Sequence, residues 1–132
     1  MLAHPEHVLD PDLLVMFQSL VVRRAAGEPL QYITGHQEFF KLDFAVNPDV
    51  LIPRPESEAI VEVALEVLPT NGPSRLADVG TGSGCLAISI LHELSNARGF
   101  ATDISVAALA IAQRNAQTHG LADRLQLLES DL

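Results

Sequence analysis

Asp78-Val79-Gly80-Thr81-Gly82-Ser83-Gly84-Cys85 is the stretch that decides how this chain folds. Arg75-Leu76-Ala77-Asp78-Val79 reads as a short strand that runs directly into three alternating glycines. Leu86, Ala87, Ile88, Ile90, Leu91 and Leu94 follow, apolar on most faces of a helix, which predicts a well-buried helix. The glycines have separate roles. Gly80 and Gly82 permit a tight turn and let a ligand approach the backbone. Gly84 is expected to let the helix pack closely on the sheet. The helix N-terminus offers free amide N–H groups that suit a carboxylate or phosphate.

Toward the C-terminus, Phe100-Ala101-Thr102 predicts a second strand ending at Asp103. Ser105 caps a helix to about His119, and Gly120 closes it. Leu125-Gln126-Leu127-Leu128 is a third strand, ending at Glu129-Ser130-Asp131. Strand, helix, strand, helix, strand makes a βαβαβ half of an open parallel sheet, and such sheets bind ligands at the carboxyl ends of their strands.

Toward the N-terminus, Asp10-Pro11 starts a helix whose apolar face is Leu13, Met16, Phe17, Leu20 and Val21, ended by Gly27 and Pro29. Residues 30–36 read as a short turn or loop around Tyr32 and Gly35. From Glu38 to Val46 the period is two, with Phe40, Leu42, Phe44 and Val46 on one side. Asn47-Pro48-Asp49 is a turn signal, so Val50-Leu51-Ile52 is expected to return as the second strand of a hairpin. Pro53 and Pro55 stop it. Glu56 opens a helix with the stripe Ile60, Val61, Ala64, Leu65 and Leu68, ended by Pro69. The fold expected is α/β: a partial Rossmann-like sheet preceded by a helical segment and a β-hairpin.

The spacing of the glycines separates three ligand classes. A nucleoside-triphosphate loop ends in Gly-Lys-Ser/Thr, whereas Gly84 is followed by Cys85 and Leu86. A dinucleotide fingerprint is Gly-x-Gly-x-x-Gly, and here the third glycine comes one position early. Gly-x-Gly-x-Gly preceded by Asp78 fits S-adenosylmethionine better than a nicotinamide dinucleotide. That ligand has no pyrophosphate and carries a sulfonium cation, so acidic neighbours are favourable. Asp103 can accept both hydroxyls of an adenosine ribose, and Asp131 can accept from the adenine amino group. The plainer alternative is a glycine turn with two solvated strand-end aspartates.

Composition narrows the partners. The 132 residues include 17 acidic and 8 basic side chains, a formal net charge of −9. Residues 1–70 carry 11 acidic and 4 basic groups, and residues 71–132 carry 6 and 4. No basic stripe is present for a nucleic-acid backbone, nor a polybasic patch for a membrane. No apolar run approaches the roughly 18–20 residues of a spanning helix, and no secretory signal is visible. One cysteine cannot form an internal disulfide, which fits a reducing compartment, so the expected location is cytoplasmic. Cys85 reads as a small buried hydrophobe. His4, His7, His36, His92 and His119 show no metal-ligand spacing, and no metal is expected. Phe39 and Phe40 read as core and rim of the hairpin.

Leu51-Ile52-Pro53-Arg54-Pro55-Glu56-Ser57-Glu58, the glycine loop, Gly27-Glu28-Pro29-Leu30-Gln31-Tyr32-Ile33-Thr34-Gly35 and Gln113-Arg114-Asn115-Ala116 together resemble the peptide-chain release factor glutamine N5-methyltransferases. The likeness runs from about residue 25 to the last residue. It implies S-adenosylmethionine as cofactor, a Rossmann-like methyltransferase fold, and a release factor as protein substrate, methylated on the glutamine of its Gly-Gly-Gln motif. The expected cofactor-binding set is Asp78, Gly80, Thr81, Gly82, Ser83, Gly84, Asp103, Ile104, Asp131 and Leu132. Two roles stand open for Arg54 and Glu56: shaping the loop over the cofactor, or an ion pair anchoring a proline-rich turn. Ser57 stands where the family usually has Thr, and Leu132 where an aromatic residue is common.

The family's acceptor motif, Asn-Pro-Pro-Tyr, does not occur in the sequence, so no catalytic residue is expected within it. The 132 residues are expected to be the N-terminal piece of a longer enzyme. The expected parts are residues 1–36 as the remnant of a helical substrate-recognition domain, 37–55 as a linking hairpin, and 56–132 as the cofactor-binding half. The alternatives are a non-catalytic cofactor-binding fragment, a related methyltransferase acting on a ribosomal-protein glutamine or a nucleic-acid adenine, and a nicotinamide oxidoreductase.

Overall fold

The computed structural model describes residues 10–70 and 72–131. Helix α1 spans Pro11–Ala25, and the Asp10 carboxylate caps it by accepting from the Asp12 N–H at 2.8 Å. Arg23 and Glu28 pair across the helix end. The expected apolar face of α1 forms but stays uncovered: Leu13, Met16, Phe17 and Val21 are exposed. Within residues 30–36 the chain makes a short turn. Leu30–Thr34 make one helical turn, α2, closed by Gly35 at φ +78°. Pro29 sets this turn up, because its carbonyl accepts from the Tyr32 and Ile33 N–H groups.

The hairpin lies earlier than the turn signal implies. Strand β1 (His36–Phe39) pairs antiparallel with β2 (Leu42–Ala45), and Phe40 and Lys41 make the two-residue turn, both at positive φ. The Glu58 carboxylate secures that turn by accepting from the Phe40 N–H at 2.9 Å. Asn47-Pro48-Asp49 does turn, with Asn47 Oδ1 accepting from the Asp49 N–H, but Val50–Ile52 forms no strand. Val50 instead fills a small core with Val46 and Ala108, and its carbonyl accepts from the Tyr32 hydroxyl at 2.7 Å. Phe39 and Phe44 are buried edge to face, and Phe40 is half-buried.

A 3₁₀ turn at Pro55–Ser57 leads into helix α3 (Glu58–Val67). Strand β3 (Ser74–Val79), helix α4 (Cys85–Glu93), strand β4 (Ala97–Asp103), helix α5 (Val106–Thr118) and strand β5 (Leu125–Glu129) follow. The sheet is parallel, in the order β3-β4-β5. Ser105 Oγ caps α5 by accepting from the Ala108 N–H. Arg124 closes α4 from the far side of the chain, its guanidinium donating to the carbonyls of Leu91, Leu94, Ser95 and Ala97. One core joins Phe39 and Phe44 to Val61, Ile88, Leu91, Ala101 and Leu125. On the opposite sheet face Val79, Phe100 and Leu128 are exposed. Among the described residues no helix is long and apolar enough to cross a membrane.

Candidate cofactor site

The glycine loop leaves β3 at its carboxyl end and enters α4. Gly80, Gly82 and Gly84 all have positive φ, at +74°, +55° and +80°. The Thr102 carbonyl on β4 accepts from both the Gly80 and Thr81 N–H groups, at 2.9 and 2.8 Å, which ties the loop to the neighbouring strand. A Cβ at Gly80 or Gly82 would meet nothing within 4 Å, so the space over these two residues is open to a ligand. Gly84 differs. A Cβ there would lie 2.9 Å from Ile88 Cδ1 and 3.3 Å from Ala112 Cβ. The close approach it permits is therefore between α4 and α5, rather than between helix and sheet as the sequence suggested.

Asp78 is mostly buried at the end of β3 and accepts from the Thr81 hydroxyl at 2.7 Å. Burial pushes its carboxyl up, and the Thr81 bond opposes that only in part. Asp103 holds the loop from β4. One carboxylate oxygen accepts from the Gly82 N–H at 2.9 Å and the other from the Ser105 N–H at 2.9 Å. Each oxygen keeps a second lone pair, so both can still accept from a vicinal diol.

The expected residues within the described chain converge on two adjoining hollows, except Gly84, which lines neither. The first, about 260 Å³, sits at the strand ends and is lined by Val79, Gly80, Asp103, Ile104, Ser130 and Asp131. The second, about 140 Å³, lies between the loop at Asp78–Ser83 and the Pro53-Arg54 segment. Gly80 lines both. Ser83 is buried and lines the second hollow, while Leu132 lies outside the described residues. Val79, Ser130 and the Leu51–Pro53 wall were not singled out from sequence. The first two flank glycine and aspartate positions already identified, and the strand ends could have suggested them. The wall exists only because the segment that follows the hairpin runs past the glycine loop.

Arg54 lines the second hollow, and among the described residues it has no ion pair with Glu56. Burial raises the Cys85 thiol to about 11, which keeps it protonated and unreactive at neutral pH. Among the described residues no cluster of three His, Cys, Asp or Glu side chains could hold a metal ion.

A three-stranded parallel sheet with this loop and these strand-end acids has the Rossmann-like methyltransferase fold. It matches the solved RNA methyltransferase from Salinibacter ruber, crystallised with S-adenosyl-L-homocysteine, at a TM-score of 0.52 and 29% identity over 62% of this chain and 50% of that one. Residues 61–132 match the family model for ribosomal protein L11 methyltransferase (PrmA), and residues 1–35 match that for the PrmC N-terminal domain. The release factor glutamine methyltransferase of Nitratidesulfovibrio vulgaris is 50% identical over 96% of this chain, and that of Moorella thermoacetica 53% identical over 99%. The chain belongs to the release factor glutamine methyltransferase family. It spans 43% and 46% of the length of those two relatives.

Proposed function

We propose that this chain is the S-adenosylmethionine-binding part of a cytoplasmic enzyme that methylates the glutamine side-chain amide in the Gly-Gly-Gln motif of peptide-chain release factors. The observation that carries the reading is the meeting of Gly80, Asp103, Ile104 and Asp131 in one hollow, next to a second hollow over Asp78 and Gly82. The fit to the cofactor rests on two features. The backbone at Gly80 and Gly82 is bare where a ligand must approach, and three carboxylates, Asp78, Asp103 and Asp131, stand around it against one cation, Arg54, a balance that favours a cationic sulfonium and ribose hydroxyls. When bound, the cofactor supplies an electrophilic methyl group.

This chain's residues bind and orient. Asp103 takes the ribose hydroxyls, Asp131 lies in reach of the adenine end, and Gly80–Gly84 presents backbone to the amino-acid end. Pro53 and Arg54 wall the hollow over the loop. Residues 1–36 serve as part of a substrate-recognition domain, 37–55 as the link and 56–132 as the cofactor-binding half. The separate family matches at residues 1–35 and 61–132 support that division. The PrmA match names a ribosomal protein as substrate, but it covers only the cofactor half, whereas the release-factor relatives match almost the whole chain.

Titrating S-adenosylhomocysteine into the chain should give a saturable one-to-one isotherm that Asp103→Ala abolishes. Labelled methyl transfer by the intact enzyme should reach a purified release factor and miss one whose Gly-Gly-Gln glutamine is changed to alanine. No binding by the wild-type chain overturns the cofactor reading. Equal labelling of the altered factor overturns the acceptor.

A further inference from the structure

Asn115, on the face of α5 turned toward the hairpin and the glycine loop, is only 1% exposed, yet every polar atom of its side chain is used. Its Oδ1 accepts from the Ala45 N–H at 2.8 Å, and its Nδ2 donates to the Ala45 carbonyl at 3.1 Å and to the Ser83 carbonyl at 2.8 Å. Three parts of the chain far apart in sequence meet at one amide: β2 of the hairpin, the glycine loop and α5. With Ala45 it makes the paired donor and acceptor contact that a neighbouring strand would make.

The contact with Ser83 bears on the loop's shape. The Ser83–Gly84 peptide is planar, so its carbonyl and its N–H point in opposite directions. Asn115 holds the carbonyl, and the Thr81 carbonyl accepts from the Gly84 N–H at 2.9 Å. Both ends of this peptide unit are therefore tied, at the entrance to α4, where Gly84 already sits at φ +80° against Ile88 and Ala112. Losing the Asn115 amide frees the unit to rotate and leaves the buried Ser83 carbonyl and the half-buried Ala45 N–H and carbonyl without this partner, a costly state that the loop would relieve by moving.

We propose that Asn115 is a positioning residue that sets the glycine loop's affinity for cofactor and couples the loop to the hairpin. The proposal rests on the cofactor reading above. Asn115 touches neither hollow, so it acts through Ser83 and Gly84 rather than on the ligand. The hairpin joins the N-terminal helices to the sheet, so a shift of the hairpin by bound protein substrate is passed to the loop through the same side chain.

Asn115→Ala removes all three bonds, and Asn115→Ser is the milder version should the first fail to fold. The control is His119→Ala, which removes a second α5–hairpin tie, the 2.9 Å contact of Nε2 with the Asp43 carbonyl, without touching the loop. The readouts are S-adenosylhomocysteine affinity, the melting temperature, and the exchange rate and amide resonance of Gly84. Asn115→Ala should weaken binding about tenfold or more and speed Gly84 exchange, with Asn115→Ser intermediate. His119→Ala should lower the melting temperature and leave both other readouts near wild type.

Folded Asn115 variants with affinity within about twofold of wild type and an unmoved Gly84 resonance overturn the proposal. Equal weakening by His119→Ala at a matched loss of stability also overturns it. If the wild-type chain binds no cofactor, the proposed function fails on its own. The clamp then stands if Gly84 exchange rises in the Asn115 variants and falls if it does not.

Discussion

Gly84 and Gly82 are two residues apart, and a methyl group added at each should act differently. At Gly84 the φ of +80° penalises any side chain, and the new Cβ would press on Ile88 and Ala112. Gly84→Ala should cost roughly 2–4 kcal/mol, the strain of a left-handed residue added to overpacking, read by urea unfolding. At Gly82 only the φ penalty applies, so Gly82→Ala should cost about 1–2 kcal/mol and lose cofactor binding. Asp78 has the opposite balance. Burial raises its carboxyl pKa, so its contribution to stability is greatest at acid pH and is lost as pH rises through the folded pKa. Asp78→Asn should raise the melting temperature at pH 7, raise it less at pH 4, and weaken cofactor binding. The Cys85 thiol, pushed to about 11 by burial, should resist iodoacetamide at pH 7.4 in the folded chain and react once urea unfolds it.

At the scale of elements, α4 depends on both its ends. Its start is shaped by the glycine loop, and at its end Arg124, from just before β5, donates to the Leu91 carbonyl of the last turn and to the Leu94, Ser95 and Ala97 carbonyls just beyond it. Arg124→Met keeps the stem and loses the donors, and it should cost about 2–3 kcal/mol by denaturant unfolding. The hairpin shows how a local signal can be read at the wrong place. Asn47-Pro48-Asp49 has the composition of a turn and makes one, yet the strands join at Phe40-Lys41, two residues with ordinary side chains at positive φ. A carboxylate from α3 supplies what the local sequence lacks, by binding the Phe40 N–H. Contacts between elements carry that information, and periodicity does not.

Across the whole molecule, apolar surface is left open in two places. Helix α1 exposes Leu13, Met16 and Phe17, and the sheet exposes Val79, Phe100 and Leu128 on the face away from the helices. Patches of this kind associate, even on a chain with a net charge of −9. The 132-residue chain should self-associate with rising concentration in sedimentation runs. Phe100→Gln combined with Leu128→Gln should shift it toward monomer without loss of cofactor binding, because neither residue lines the two hollows.

By itself the sequence determined the parallel βαβαβ order, the glycine loop, the caps at Asp10 and Ser105, and the placing of Asp103 and Asp131 at strand ends. Each follows from a local rule: a hydrophobic period, a side chain that bonds nearby backbone, or a residue that tolerates positive φ. Only the tertiary structure decided where the hairpin turns, that α1 keeps its apolar face bare, that Gly84 serves helix–helix contact, and that the Pro53-Arg54 segment walls the site. It also decided the role of Asn115, whose partners lie 70 and 32 residues away in the chain. A side chain satisfied by distant backbone leaves no periodic trace, so its importance appears only when the parts it joins have been brought together.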